Sequence, residues 1–581
     1  MDFVFISDVL NNYNIDLEVL RPNSNLYNIS LLQHIGTFHV EEDRFGNQND
    51  EEVKFNNFLQ TSFDNNSALI VTPEYSCPWN SVRNLLRNTD DIPNIGNLIV
   101  LGCESITPEL IFEFKDEFNE QNNIEVHFEE NIFENAGGVL LDPCCYIFKA
   151  LNENGEEKII VLIQFKTQHM GVWESALEQE KYIPGNNTYI LKNTVNSINL
   201  VTVICSDALV FNNEINANFR EHWELHPFLV LSIQMNPKPC DANFRTFRSE
   251  ILSNQNKDII TLNWSSESIA SFDNNFFSRY SKSNIHIKTE HIKNRALEEQ
   301  NLIKSNHNLG LYYTFLKPDK HFFYINPKVE IALLRLRKPY QGNVPGAVVR
   351  RRGPIIVGIY EWNSQARTFN PLPEIVDEFV NLLNSLGITS KSLHDVNFSI
   401  LDKERLLSIS LGEIDVREGG DSWHIINKLE SFQLDELETI KRFTIIFDEG
   451  GYEFRKTRLE KLEELNLIIL TDPIKFPPIL SSFKGNCSEV MFYKDGHFNY
   501  KYNLVKNGGD EYATASYLGL GSKEDVERTF NKLLKLFAKE DLSYKRIVVW
   551  FKPTINTYDN KATPIPKFTD LPKSNNVSFT E

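Results

Sequence analysis

Five short, almost unbroken apolar runs constrain this chain most. They are 68–72 (ALIVT), 97–102 (NLIVLG), 159–165 (IIVLIQF), 199–205 (NLVTVIC) and 228–234 (FLVLSIQ). None alternates apolar with polar residues, so each reads as a strand buried on both faces. Polar loops and helical patterns separate them, with helices expected near 51–59 and around Phe244, Phe247, Arg248 and Ile251. Further strands are expected at 31–40, 137–148, 259–264, 322–325 and 329–336. Strands alternating with helices predict an α/β layered domain.

At 581 residues the chain exceeds one core. The stretch 338–346 (KPYQGNVPG) shifts to turn formers. It divides a first domain, 1–340, from a second α/β (α+β) accessory domain, 341–552. In the second domain helices are expected at 375–386, 455–465 and 523–540. Strands are expected at 443–447, 467–470 and 547–551, and a tight turn at Asp495-Gly496. Residues 553–581, rich in Pro, Asn, Thr and Ser, are expected to form a flexible tail.

The formal charge of -20 argues against nucleic acid as a partner, since that binding rests on clustered Lys and Arg. Arg350, Arg351 and Arg352 read as an interface or solvated patch. The seven cysteines are scattered and odd in number, a pattern suited to a reducing compartment. No CxxC or HExxH spacing appears, so neither a metal site nor a cofactor is expected. Residues 1–16 carry acids in place of a basic flank, and no window reaches the apolar length that spans a bilayer. The expectation is a cytoplasmic chain with no membrane contact.

Three of the runs end on residues with usable chemistry: Glu74 after LIVTP, Lys166 after VLIQF, and Cys205 closing LVTVI. Each alone reads as structural, a buried cysteine above all. Together they supply a base to take a thiol proton, a cation to hold developing negative charge, and a nucleophile.

This order, PE then K then CxD, resembles the nitrilase superfamily of carbon–nitrogen hydrolases. Asn135-Ala136-Gly137 is similar to the segment before the family's lysine, and Lys166-Thr167 begins the lysine motif. Glu180-Lys181-Tyr182-Ile183-Pro184-Gly185 is similar to the E-x-x-x-P-G run that carries a second active-site glutamate. Asn263-Trp264 falls where the family has an asparagine. The resemblance covers about 1–340. Gln168 stands where a histidine is usual, and Ser206 where an aromatic is common.

The resemblance implies a four-layer α-β-β-α sandwich and a thiol-dependent hydrolase of a non-peptide carbon–nitrogen bond in a small amide, carbamoyl compound or nitrile. Cys205 would form a thioester, with Glu74 as base, Lys166 as oxyanion stabiliser, Glu180 as second acid, and Ser206 and Asp207 beside the oxyanion. Glu174 and Glu178 are alternatives for the second acid. A homo-oligomer is implied, and the second domain is open to a protein partner. The competing reading is a catalytically inactive hydrolase fold kept as a binding or scaffold module.

Overall fold

The computed structural model describes residues 1–23, 25–41, 43–134, 137–169, 175–239, 241–253, 256–272, 275–278, 283–288, 305–306, 308–317, 320–339, 353–375, 378–395, 400–413, 449–471, 476–492, 502–509, 511–535 and 546–565. The chain divides into two compact units, one of residues 1–315 and 319–376, the other of 377–581 with 316–318.

Two large sheets build the first unit. One is centred on β1 (Leu26–Leu32), β2 (Leu69–Val71), β3 (Leu98–Gly102), β4 (Pro143–Asn152) and β5 (Glu157–Phe165), side by side in that order. Beyond β5 lies Ile124–Phe128; beyond β1 lie Ile331–Arg337, Ile355–Asn363 and Thr368–Leu372. The other sheet runs from Asp2–Phe5 through β6 (Asn187–Leu191), β7 (Asn199–Ile204), β8 (Phe228–Gln234) and β9 (Lys257–Asn263) to Asn284–Lys288, Lys320–Ile325 and Leu311–Lys317. β7, β8 and β9 are parallel, and every residue of the three is buried. That double burial is why their sequences do not alternate.

Helices Glu52–Asp64, Trp79–Arg87 and Pro108–Asn119 pack Phe55, Phe58, Val82, Leu86, Ile111 and Phe114 onto the first sheet. Near the second sheet, Phe211 of helix Ala208–Glu214 meets Trp223 and Phe247 edge-on. A buried polar link joins the sheets: Gln164 Nε2 donates to Thr202 O at 3.0 Å. Its Oε1 accepts from Tyr146 OH at 3.0 Å and from Tyr189 N at 3.1 Å.

The expected strand 31–40 is two strands. After Leu32 the chain leaves β1, and Thr37–Val40 joins a separate small sheet with Phe45–Asn47, Ile269–Phe272 and Asn275–Ser278. Gly36 lies in the connection, where a Cβ would lie 2.5 Å from His34 Nε2. Past the expected boundary at 340, Ile355–Asn363 pairs antiparallel with Ile331–Arg337, and Thr368–Leu372 adds to it. Residues 340–352, with Arg350–Arg352, lie outside the described residues.

In the second unit, strands Leu504–Val505, Tyr512–Leu520, Ile547–Thr554 and Thr557–Ala562 form one sheet. The parallel central pair is connected through helix Lys523–Lys535. The expected strand 467–470 is instead the end of helix Glu449–Thr471. Leu459, Leu462, Leu465, Ile468 and Ile469 are buried at helical spacing, while Leu467 and Leu470 are exposed. A short apolar run has no period of its own, and the preceding helix decided the state. The expected tail begins as a strand, since Thr557–Ala562 pairs with Ile547–Thr554. Residues 443–447, 495–496, 536–545 and 566–581 lie outside the described residues. Among the described residues no helix is long and apolar enough to cross a membrane.

Candidate active site

Glu74 sits in the turn after β2, with Tyr75 held at φ 57°, a left-handed conformation uncommon for such a residue. The turn fits because β3 ends in glycine. A Cβ on Gly102 would lie 2.2 Å from Pro73 O. Glu74 is fully buried and held at three points. Its Oε1 accepts from Lys166 Nζ at 2.9 Å, its Oε2 from Met235 N at 2.5 Å, and its carbonyl from Trp264 Nε1 at 2.7 Å. Asn263 steadies the turn that carries Met235: Oδ1 accepts from Asn236 N at 2.9 Å, and Nδ2 donates to Asn236 O at 2.6 Å.

Lys166 follows β5, and its ammonium is fully buried. Nζ lies 2.7 Å from Glu178 Oε1, 2.9 Å from Glu74 Oε1 and 3.3 Å from Asp142 Oδ2. The ring of Tyr75 covers it at 5.6 Å, and Tyr75 OH donates to Glu178 Oε1 at 3.3 Å. Burial alone would discharge the lysine, but Glu178 and Glu74 outweigh it and hold the ammonium charged, well above its ordinary pKa.

Cys205 follows β7 at φ 39°, a strained backbone for a residue with a Cβ. It is fully buried. Burial pushes its thiol pKa well up and the Glu74 carboxylate pushes it further, while the Lys166 ammonium opposes both. The Glu74 carboxylate and the Lys166 ammonium both act on the thiol, so Glu74, Lys166 and Cys205 converge in one cluster.

Ser206 and Asp207 have their side chains engaged elsewhere. Ser206 Oγ donates to Gln168 O at 2.6 Å. Asp207 Oδ1 accepts from Thr167 N and Thr167 Oγ1, each at 2.8 Å, and from Gln168 N at 2.9 Å. The pair fastens the segment after the lysine to the turn after the cysteine. Burial raises the Asp207 carboxyl to about 6, against the pull of those bonds.

The glutamate that reaches the lysine is Glu178. Glu180 is exposed. Both lie on helix Ser175–Lys181, where two positions turn the side chain by about 200° and only one can face inward. Glu174 lies outside the described residues. Tyr182, in the stretch singled out by the E-x-x-x-P-G pattern, donates its hydroxyl to Lys166 O, and Gly185 N donates to the same carbonyl at 2.8 Å.

Sequence reasoning missed Asp142, Tyr75 and the Met235 N–H. Asp142 had one signal, a lone acid inside the apolar stretch VLLDPCC. Met235 acts through its backbone, which residue identity does not reveal. Among the described residues no group of His, Cys, Asp and Glu is arranged to hold a metal ion, and the six described cysteines are free.

No protein-family model and no curated protein matches the chain. Among solved structures it is similar to an amidase from Nesterenkonia sp., at 12% identity and TM-score 0.26, over 45% of this chain and 83% of that one. It is also similar to a C145A mutant of the Nesterenkonia AN1 amidase from the nitrilase superfamily, at 13% identity and TM-score 0.27, over 46% of this chain and 84% of that one. Likeness of that degree carries no weight for activity, and the chemistry rests on the residues themselves.

Proposed function

We propose that the first unit is a thiol-dependent hydrolase of non-peptide carbon–nitrogen bonds in small amides, carbamoyl compounds or nitriles, its two sheets and their helices forming a four-layer α-β-β-α sandwich. The observation that carries this reading is the buried ammonium of Lys166 held between Glu74 and Glu178, with the buried Cys205 thiol within reach of the Glu74 and Lys166 charges.

For an amide, Glu74 takes the Cys205 proton as sulfur bonds to the substrate carbon. The carbonyl electrons move onto oxygen, where the Lys166 ammonium and the backbone N–H of Ser206, just after the nucleophile, stabilise them. Collapse breaks the C–N bond, and the departing nitrogen takes the proton from Glu74. Water then attacks the thioester, gives a proton to Glu74, and releases the acid as that proton returns to sulfur. Glu178 orients Lys166 throughout. The side chains of Ser206 and Asp207 position the loop and leave the chemistry to the backbone. The second unit is read as an accessory domain open to a protein partner, the assembly as a homo-oligomer, and the compartment as the cytoplasm, which suits free cysteines.

The test is ammonia or amine release from a panel of amides and nitriles, with Cys205→Ala alongside. Turnover in the parent chain, lost in the folded variant, supports the assignment. Equal turnover in both removes it. A second reading, an inactive scaffold, draws on the complete burial of Glu74, Lys166 and Cys205. It gains if no substrate turns over and iodoacetamide leaves Cys205 unmodified in the folded chain.

A further inference from the structure

The candidate site contains more carboxylates than its single cation balances. Glu74, Asp142 and Glu178 all lie within 3.3 Å of Lys166 Nζ, and all four side chains are buried. With every group ionised the cluster would carry two uncompensated negative charges in a dry interior. Uncompensated buried charge is strongly destabilising, and a carboxyl escapes it by keeping its proton.

The hydrogen bonds identify which carboxyl does so. Glu74 accepts from Lys166 and from Met235 N. Glu178 accepts from Lys166 and from Tyr75 OH. Asp142 is 1% exposed, stands farthest from the ammonium, and has neither oxygen hydrogen-bonded among the described residues. As an anion it is the least supported of the three. Its own chain position offers it no escape to solvent, because Lys166 N donates to Asp142 O at 2.9 Å and pins that backbone beside β5.

We propose that Asp142 is a positioning residue that stays un-ionised, a neutral carboxylic acid beside Lys166 and Glu74. The titratable groups that act on it electrostatically include Glu74, Lys166, Glu178, Tyr75, Tyr182 and Cys144. The Lys166 ammonium favours ionisation. Burial, then Glu74 and Glu178, work against it and hold the carboxyl well above the usual range. The pair is then two acids sharing one proton, the arrangement that like charges at close range enforce. Its consequence is a cluster with one net negative charge instead of two, so a thiolate at Cys205 forms against less repulsion. The assignment concerns a protonation state and stands whether or not the chain hydrolyses an amide.

Infrared difference spectroscopy of the full chain at pH 8 reads it directly. The parent chain shows the carbonyl stretch of an un-ionised acid, which disappears in Asp142→Asn and persists in Glu180→Gln. Asp207, with its pKa near 6, is ionised at that pH. Identical spectra for the parent and Asp142→Asn in this band overturn the proposal. If the variant does not fold, the parent chain labelled with 13C at the aspartate γ-carbons decides. One resonance is expected to hold the acid position from pH 6.5 to 8. All resonances at the carboxylate position overturn it.

Discussion

Trp264 donates its indole N–H to the backbone carbonyl of Glu74 at 2.7 Å, across 190 positions of sequence. The bond ties the residue after β9, in one sheet, to the turn after β2, in the other. Trp264→Phe keeps an aromatic ring of smaller volume and removes the donor, leaving a buried carbonyl unpaired at a cost of about 1–3 kcal/mol, to which the space left by the indole adds. Urea denaturation should record that loss. Turnover should fall as well, because Glu74 loses one of its anchors. Unchanged stability would mean that the bond contributes nothing.

Lys166→Met removes the only ammonium that the Glu74 and Glu178 carboxylates share among the described residues. Breaking such a buried arrangement costs about 3–5 kcal/mol. Adding Glu178→Gln to the same chain should restore part of the stability, because one stranded carboxylate is gone. A double variant no more stable than Lys166→Met alone would contradict the ion-pair account.

Glu178→Gln and Glu180→Gln separate the two acids of helix Ser175–Lys181. The first loses the carboxylate 2.7 Å from Lys166 and should lower kcat by about 10²-fold or more. The second alters an exposed side chain and should leave kcat unchanged. The reverse pattern would return the role to Glu180.

Asp207 predicts a pH dependence. Its carboxyl is raised from 3.8 to about 6 in the folded chain, so the native state binds the proton more tightly than the unfolded one. The stability this contributes is complete below about pH 4 and is lost as pH rises through 6. Asp207→Asn offers the same acceptor to Thr167 and Gln168 without a charge to bury. Relative to the parent, it should gain on the order of 3 kcal/mol between pH 4 and pH 7. Denaturation at the two pH values measures it, and a constant difference would refute the linkage.

The strands around the site were legible because parallel burial leaves an unbroken apolar signature, and Glu74, Lys166 and Cys205 each sit where such a run stops. Glu178 was harder to choose. Its rank over Glu180 depends on the phase of a short helix, and the E-x-x-x-P-G pattern carries no information on phase. Asp142 interrupts an apolar run, which sequence reading treats as an imperfection in a strand. The strand assigned to 467–470 failed for the converse reason: four apolar residues fit either state, and the 23-residue helix to which they belong supplied the missing context.

The hydrogen bond between Gln164 and Thr202 works as a gauge. Lys166 lies two positions beyond one end of it and Cys205 three beyond the other. A strand advances about 3.3 Å per residue, so a slip of one position would carry ammonium and thiol past each other by the length of a hydrogen bond. Two sheets greased by aliphatic side chains alone could slide. The amide threaded between them, with the Trp264 bond to Glu74, sets the zero of the scale, and the alignment of the chemistry is read in part from a residue that takes no part in it.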